Sequence, residues 1–116
     1  MMRVEKGWGY EEIFASNNKY CGKFLCFDEG KKFSMHFHRW KDETWYVVDG
    51  QFQLTILNTK DATHKTSILN VGDVWRNEPL LPHQLLCLKG PGRIVEVSTT
   101  DEFNDNYRVL PGDSQT

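Results

Sequence analysis

The feature that most constrains this chain is its punctuation. Short β-like runs recur at roughly ten-residue spacing, each closed by a turn signal. Residues 24–28 stop at Glu29-Gly30, 32–40 at Lys41-Asp42, 43–48 at Asp49-Gly50 and 52–57 at Asn58. Residues 65–69 stop at Val71-Gly72-Asp73, 73–77 at Pro79 and Pro82, and 83–88 at Lys89-Gly90-Pro91-Gly92, before 93–98 close the series. No stretch repeats apolar side chains at i, i+3, i+4 and i+7, so no amphipathic helix is expected. Eight strands in this pattern predict an all-β sandwich or barrel.

Asp49-Gly50 reads as a two-residue hairpin turn between 45–48 and 52–56, because an Asp-Gly pair supplies the positive φ angles such a turn needs. Phe52, Leu54 and Ile56 alternate with Gln51, Gln53 and Thr55, so that strand buries one face. Residues 58–64 read as a polar loop. The chain is read as a single domain, 1–116, with a barrel core at about 8–99 and a polar tail at 100–116. Phe103, Tyr107, Val109 and Leu110 are expected to tie that tail down. Four Trp, four Tyr and seven Phe need a location in so small a chain. Phe24, Tyr46, Phe52 and most of the Trp residues are expected to fill the barrel.

Fourteen Lys and Arg against sixteen Asp and Glu leave a net charge of −2, without the basic surplus of a nucleic-acid binder. The longest apolar runs, 45–48 and 85–88, fall far short of a membrane span. Residues 1–7 carry no apolar segment of a secretory signal. Cys21, Cys26 and Cys87 are too few, and odd in number, for a disulfide framework. A cytoplasmic protein with no nucleic-acid and no membrane partner is therefore expected.

Chemistry gathers at the histidines. His36 and His38 are one residue apart, which on a strand puts both rings on one face, about 7 Å apart. Glu43 follows after a turn, and His83 opens a later strand. Three imidazoles and a carboxylate form a mixed N/O set suited to Zn, Fe, Mn, Ni or Cu rather than Ca or Mg.

The run from Gly30 to Gly50 reads G-x5-H-x-H-x4-E-x6-G. It resembles the first sequence motif of the cupins. Gly72-Asp73 and Pro79 through Pro82-His83 resemble the second, with Cys87 where that motif usually has Asn. The resemblance implies a small cupin jelly-roll barrel, a double-stranded β-helix, with a divalent transition metal (Zn, Mn, Fe or Ni) held by His36, His38, Glu43 and His83. Further segments, Lys6-Gly7-Trp8-Gly9-Tyr10-Glu11-Glu12, Gly22-Lys23 and Trp45-Tyr46-Val47-Val48-Asp49-Gly50, resemble the type II mannose-6-phosphate isomerases and the cupin domains fused to mannose-1-phosphate guanylyltransferases.

That resemblance implies a sugar-phosphate ligand and an aldose–ketose isomerisation, which needs an electrophile, a general base and a cation for the phosphate. Lys23, Lys31, Arg39, Lys41 and Arg76 are the candidate cations, Arg39 and Lys23 foremost, with Lys31 and Lys41 read as solvated. Glu96 is the candidate base, with a metal-bound hydroxide as the alternative. Two alternatives stand beside this reading: an Fe-dependent dioxygenase and a non-catalytic sugar-binding module. Trp40 shares the parity of the two histidines and is the expected pocket aromatic. Met35 and Phe37 point the other way, and apolar residues on the outside predict a second subunit, hence a homodimer. Cys87 is read as apolar filler, and His64 as exposed.

Overall fold

The computed structural model describes residues 1–102 and 104–116; Phe103 lies outside them. Nine strands form: β1 (Met2–Lys6), β2 (Gly9–Ser16), β3 (Cys21–Phe27), β4 (Met35–Phe37), β5 (Glu43–Leu57), β6 (His64–Leu69), β7 (Val74–Asn77), β8 (His83–Ser98) and β9 (Tyr107–Leu110). The described residues include no α-helix, only a single 3-10 turn at Asp113–Gln115. Among the described residues no helix is long and apolar enough to cross a membrane. Cys21, Cys26 and Cys87 are free thiols.

Two long strands organise everything else. The second half of β8 pairs with β3 on one side and with the first half of β5 on the other. That sheet runs β1-β2-β3-β8-β5-β7. The first half of β8 pairs with the second half of β5 and, through His36↔His83, with β4. That sheet runs β9-β4-β8-β5-β6. Each long strand thus passes from one sheet to the other, and the two sheets close over a shared interior.

Asp49-Gly50 marks this corner rather than a hairpin, which corrects the expected turn. The β5–β8 register slips three times between Val47 and Phe52. Residues 45 and 47 are buried before the slip and 52 and 54 after it, so the inward parity changes from odd to even. β8 does the same, with 83, 85 and 87 inward before the corner and 92, 94 and 96 after it. The positive φ of Gly50 serves a bulge, and a Cβ there would sit 2.5 Å from the Lys89 carbonyl oxygen.

The core holds Trp8, Leu25, Phe27, Phe33, Trp45, Val47, Phe52, Leu54, Leu85, Cys87 and Ile94. Trp8 stacks on Phe27 at 4.4 Å, and Phe27 meets Phe52 edge-on at 5.1 Å. Tyr46, expected inside, faces outward at 48% exposure, because its parity is opposite to that of Trp45 and Val47.

The run 32–40 is not one strand: β4 is three residues long, and parity fails beyond Phe37. Trp40 is 68% exposed, so it is not the pocket aromatic. The reason given for a second subunit also falls. Met35 is 1% exposed, and Phe37 stacks on Tyr107 of its own chain at 5.1 Å. The C-terminal residues form β9 against β4 and return to the barrel: Asp113 accepts from the Lys32 N–H at 2.7 Å, and Ser114 from the Gly7 N–H at 2.9 Å.

Candidate metal centre

β4 and β8 bring His36 and His83 face to face as register partners. His38 follows just after β4 ends, and Glu43 is the first residue of β5. The rings of His36 and His83 lie 4.8 Å apart between centroids, those of His36 and His38 5.0 Å. One nitrogen from each of the three histidines falls within 4.8 Å of the others. Glu43 Oε1 sits 3.0 Å from His83 Nε2 and 4.0 Å from His38 Nε2. The three histidines therefore cluster, with the Glu43 carboxylate beside His83 and His38.

Each ring is oriented through its other nitrogen. Nδ1–H of His36 donates to the Ser34 carbonyl at 2.7 Å, that of His83 to the Leu81 carbonyl at 2.8 Å, and that of His38 to the Asp105 carbonyl. A carbonyl can only accept, so Nδ1 carries a proton in each ring and Nε2 is the nitrogen left facing the site. His83 Nε2 faces Glu43 without hydrogen-bond alignment and is buried with no hydrogen-bond partner. Burial and the neighbouring His83 and His38 push His36 down to about 3, and burial lowers His38 as well. His36 and His38 are therefore neutral, the form that binds a metal. Asn77 donates to Glu43 Oε1 at 3.2 Å and accepts from Trp75 Nε1–H at 2.8 Å, which fixes that carboxylate. An orphaned ring nitrogen and an N/O donor set with oriented rings fit a divalent transition metal.

Beside the histidines lies a buried charge cluster. Lys41 Nζ is 2.8 Å from Glu96 Oε2, 3.4 Å from Glu43 Oε2 and 2.7 Å from Asp101 Oδ1. Lys23 Nζ is 3.1 Å from Asp101, 3.5 Å from Glu11 and 3.9 Å from Glu96. Trp45 Nε1–H reaches Glu96 Oε1 at 3.3 Å. Burial and the nearby Glu43 charge push Glu96 up to about 7 against the pull of both lysines. Burial alone would raise Glu43, but contact with His83 and the charge of Lys41 hold it well below the usual carboxylate range. Burial would lower Lys41, but Glu96, Glu43 and Asp101 outweigh it and keep the ammonium charged.

All this borders one cavity of about 310 Å³ that is lined by His36, His38, Glu43, Lys23, Lys41 and Glu96, among others. Of the expected cations, Lys23 and Lys41 face it. Lys41, read as solvated, is 5% exposed. Arg39 does not line it: its guanidinium lies exposed over Trp40. Arg76 lies outside too, paired with Asp42 at 2.6 Å. Lys31 is exposed, as expected, and Cys87 packs in the core. Asn77, Asp101 and Asp105 were missed. No motif marks them, and the site residues they bind (Glu43, Lys41 and His38) are distant in the chain.

No family model matches the chain, and no curated protein sequence matches it. Solved structures do. KdgF from Halomonas sp. is 21% identical, with a TM-score of 0.73 over 87% of each chain. The formate complex of oxalate decarboxylase from Lactobacillus farciminis is also 21% identical, with a TM-score of 0.76. It covers 94% of this chain, which spans only 33% of that one. CapF bound to 3-isopropenyl-tropolone gives 0.77 at 16% identity, over 94% of this chain and 34% of that one. The fold is the cupin barrel. Within that barrel, the histidine cluster and the Lys41–Glu96 pair occupy the interior between the two sheets.

Proposed function

We propose that this cupin-fold chain is a metal-dependent isomerase acting on a small sugar phosphate, in the manner of mannose-6-phosphate isomerase. The observation that carries the reading is that Glu96, its carboxyl poised near 7, opens on the same cavity as His36, His38, His83 and Glu43. A general base works best when its pKa lies near the operating pH. Burial supplies that tuning here.

His36, His38, His83 and Glu43 would hold the metal. Bound there, a divalent ion supplies Lewis acidity to the two substrate oxygens. Glu96 takes the proton from the carbon next to the carbonyl and returns it to the neighbouring carbon. Lys41, 2.8 Å away, compensates the carboxylate before it takes the proton and after it gives it back. Lys23 screens the same group from the other side. Arg39 is too far out to hold the phosphate. Lys6 and Arg108 border the cavity, and neither is in an ion pair among the described residues, so they are the better cations. A homodimer rests on other ground than Met35 and Phe37: Tyr46 and Val74 are register partners and both are exposed, as is Val97.

The test is metal analysis of the purified protein, then an NMR assay with mannose 6-phosphate and fructose 6-phosphate. Interconversion restored by Zn, Mn or Fe is expected, and its loss in Glu96→Gln with metal retained. No interconversion with any of these metals overturns the isomerase. Iron with oxygen uptake would point to a dioxygenase, and ligand binding without turnover to a sugar-binding module. A monomeric mass by light scattering at micromolar concentration removes the dimer.

A further inference from the structure

The polar C-terminal segment reaches deep into the site. Asp105 is 4% exposed, although it lies outside every strand. Its Oδ2 accepts the N–H of Trp40 at 3.0 Å and of Lys41 at 2.9 Å, and its Oδ1 accepts the N–H of Arg39. Its backbone carbonyl accepts Nδ1–H of His38. Three successive N–H groups make a concavity that favours an anion, and here the chain's own carboxylate fills it. One residue thus holds both ends of the turn that follows β4: the histidine at its start and the buried lysine at its end.

We propose that Asp105 is a positioning residue of the metal centre, holding the turn 38–41 so that His38 and Lys41 face the cavity together. The proposal rests on the metal-binding reading above. The Asp105 carboxylate is taken up by the N–H groups of Arg39, Trp40 and Lys41, so it acts through them rather than as a ligand. Asp105 sets the direction of the His38 lone pair through its carbonyl and the reach of Lys41 through its carboxylate. Asp101, four positions earlier, binds the tip of that same lysine at 2.7 Å, so the segment grips Lys41 at its backbone and at its head.

The experiment uses the full-length protein with Zn²⁺ as the probe. Zinc affinity is measured by calorimetry, well below the melting temperature of every variant. The tautomer of His38 is read from imidazole ¹⁵N signals in zinc-free protein. Asp105→Ala is expected to lower zinc affinity roughly 10–100-fold and to release His38 from its single Nδ1–H tautomer. Asp105→Asn should fall between, because its amide oxygen still accepts. Asp73→Ala, which removes one carboxylate acceptor for the Asn70 N–H on the surface, should lower the melting temperature and leave both readouts unchanged. Asp105→Ala that keeps the His38 tautomer, with zinc affinity within about twofold of wild type, overturns the proposal. Should that variant not fold, Asp105→Asn carries the same criterion. Wild-type protein that takes up no zinc would sink the metal reading, while the His38 signal would still decide the role of Asp105.

Discussion

Lys41 and Glu96 form an ion pair at 2.8 Å with both side chains 5% exposed. Two charges so far from water are held only because each is compensated several times over. Lys41 also meets Glu43 and Asp101, and Glu96 also takes the Trp45 N–H. Lys41 therefore bridges the carboxylate read as metal ligand and the carboxyl read as base.

Breaking that bridge from one side leaves two acidic groups buried together. Lys41→Met is expected to cost about 3–5 kcal/mol, the range for stranding one member of a buried pair. It should also move the acidic limb of any pH–rate profile to higher pH, since Glu96 loses the cation that favours its ionised form. Urea unfolding at pH 7 checks the first, and a cost under about 1 kcal/mol would contradict it.

The pH dependence of metal-free protein follows from two opposed groups. His36 titrates near 6.5 when unfolded and at about 3 when folded. Below 6.5 the unfolded chain takes up that proton first, so this contribution is lost as pH falls. Glu96 titrates near 4.5 unfolded and at about 7 folded. Its contribution is full below 4.5 and is lost as pH rises through about 7. Glu96→Gln removes only the second. Its stability relative to wild type should therefore grow from pH 5 to pH 7 in urea midpoints taken with chelator present. A flat difference contradicts the shift.

Metal at about 100 times its dissociation constant should stabilise the wild type by about 2.7 kcal/mol, reversibly by chelation. His36→Ala and His83→Ala should lose that gain. His64→Ala, exposed at the start of β6, should keep it. Thermal melts with and without EDTA read the difference.

Gly92 stands at the corner of β8 with no room above its Cα. A Cβ there would meet Phe52 Cζ at 2.5 Å and Cys87 Sγ at 2.8 Å. Gly92→Ala is expected to cost about 1–3 kcal/mol by overpacking, measured by urea unfolding. Gly92→Ala with Phe52→Leu should recover part of that cost.

What the sequence revealed and what it hid have physical causes. The His36–His38 pair faces one site although β4 ends at Phe37, because the Asp105 carbonyl holds the His38 ring just past the strand. Glu43, His83, Lys23 and Glu96 stand at strand starts or inward positions, which alternation marks. The corner was misread because Asp-Gly favours positive φ equally in a turn and in a bulge. Only the pairing of both halves of β5 with β8 tells them apart. Lys41 looked solvated because its partners, Glu96 and Asp101, come from remote parts of the chain. Arg39 and Trp40 looked inward only while 32–40 counted as one strand. β1 and β2 break the expected pattern because charged residues dominate β1, Glu11 and Glu12 interrupt β2, and no residue of either strand is buried.

One consequence of the β5–β8 ladder concerns the order of assembly. Glu43 pairs with Ser98 and His83 with Ile56, at opposite ends of one run of paired residues. Yet Glu43 and His83 meet at 3.0 Å, because the ladder curls until its ends touch. The two groups cannot be neighbours in any half-built barrel. Metal capture would then follow closure rather than nucleate it, and added metal would slow the opening of the finished barrel without hastening its formation.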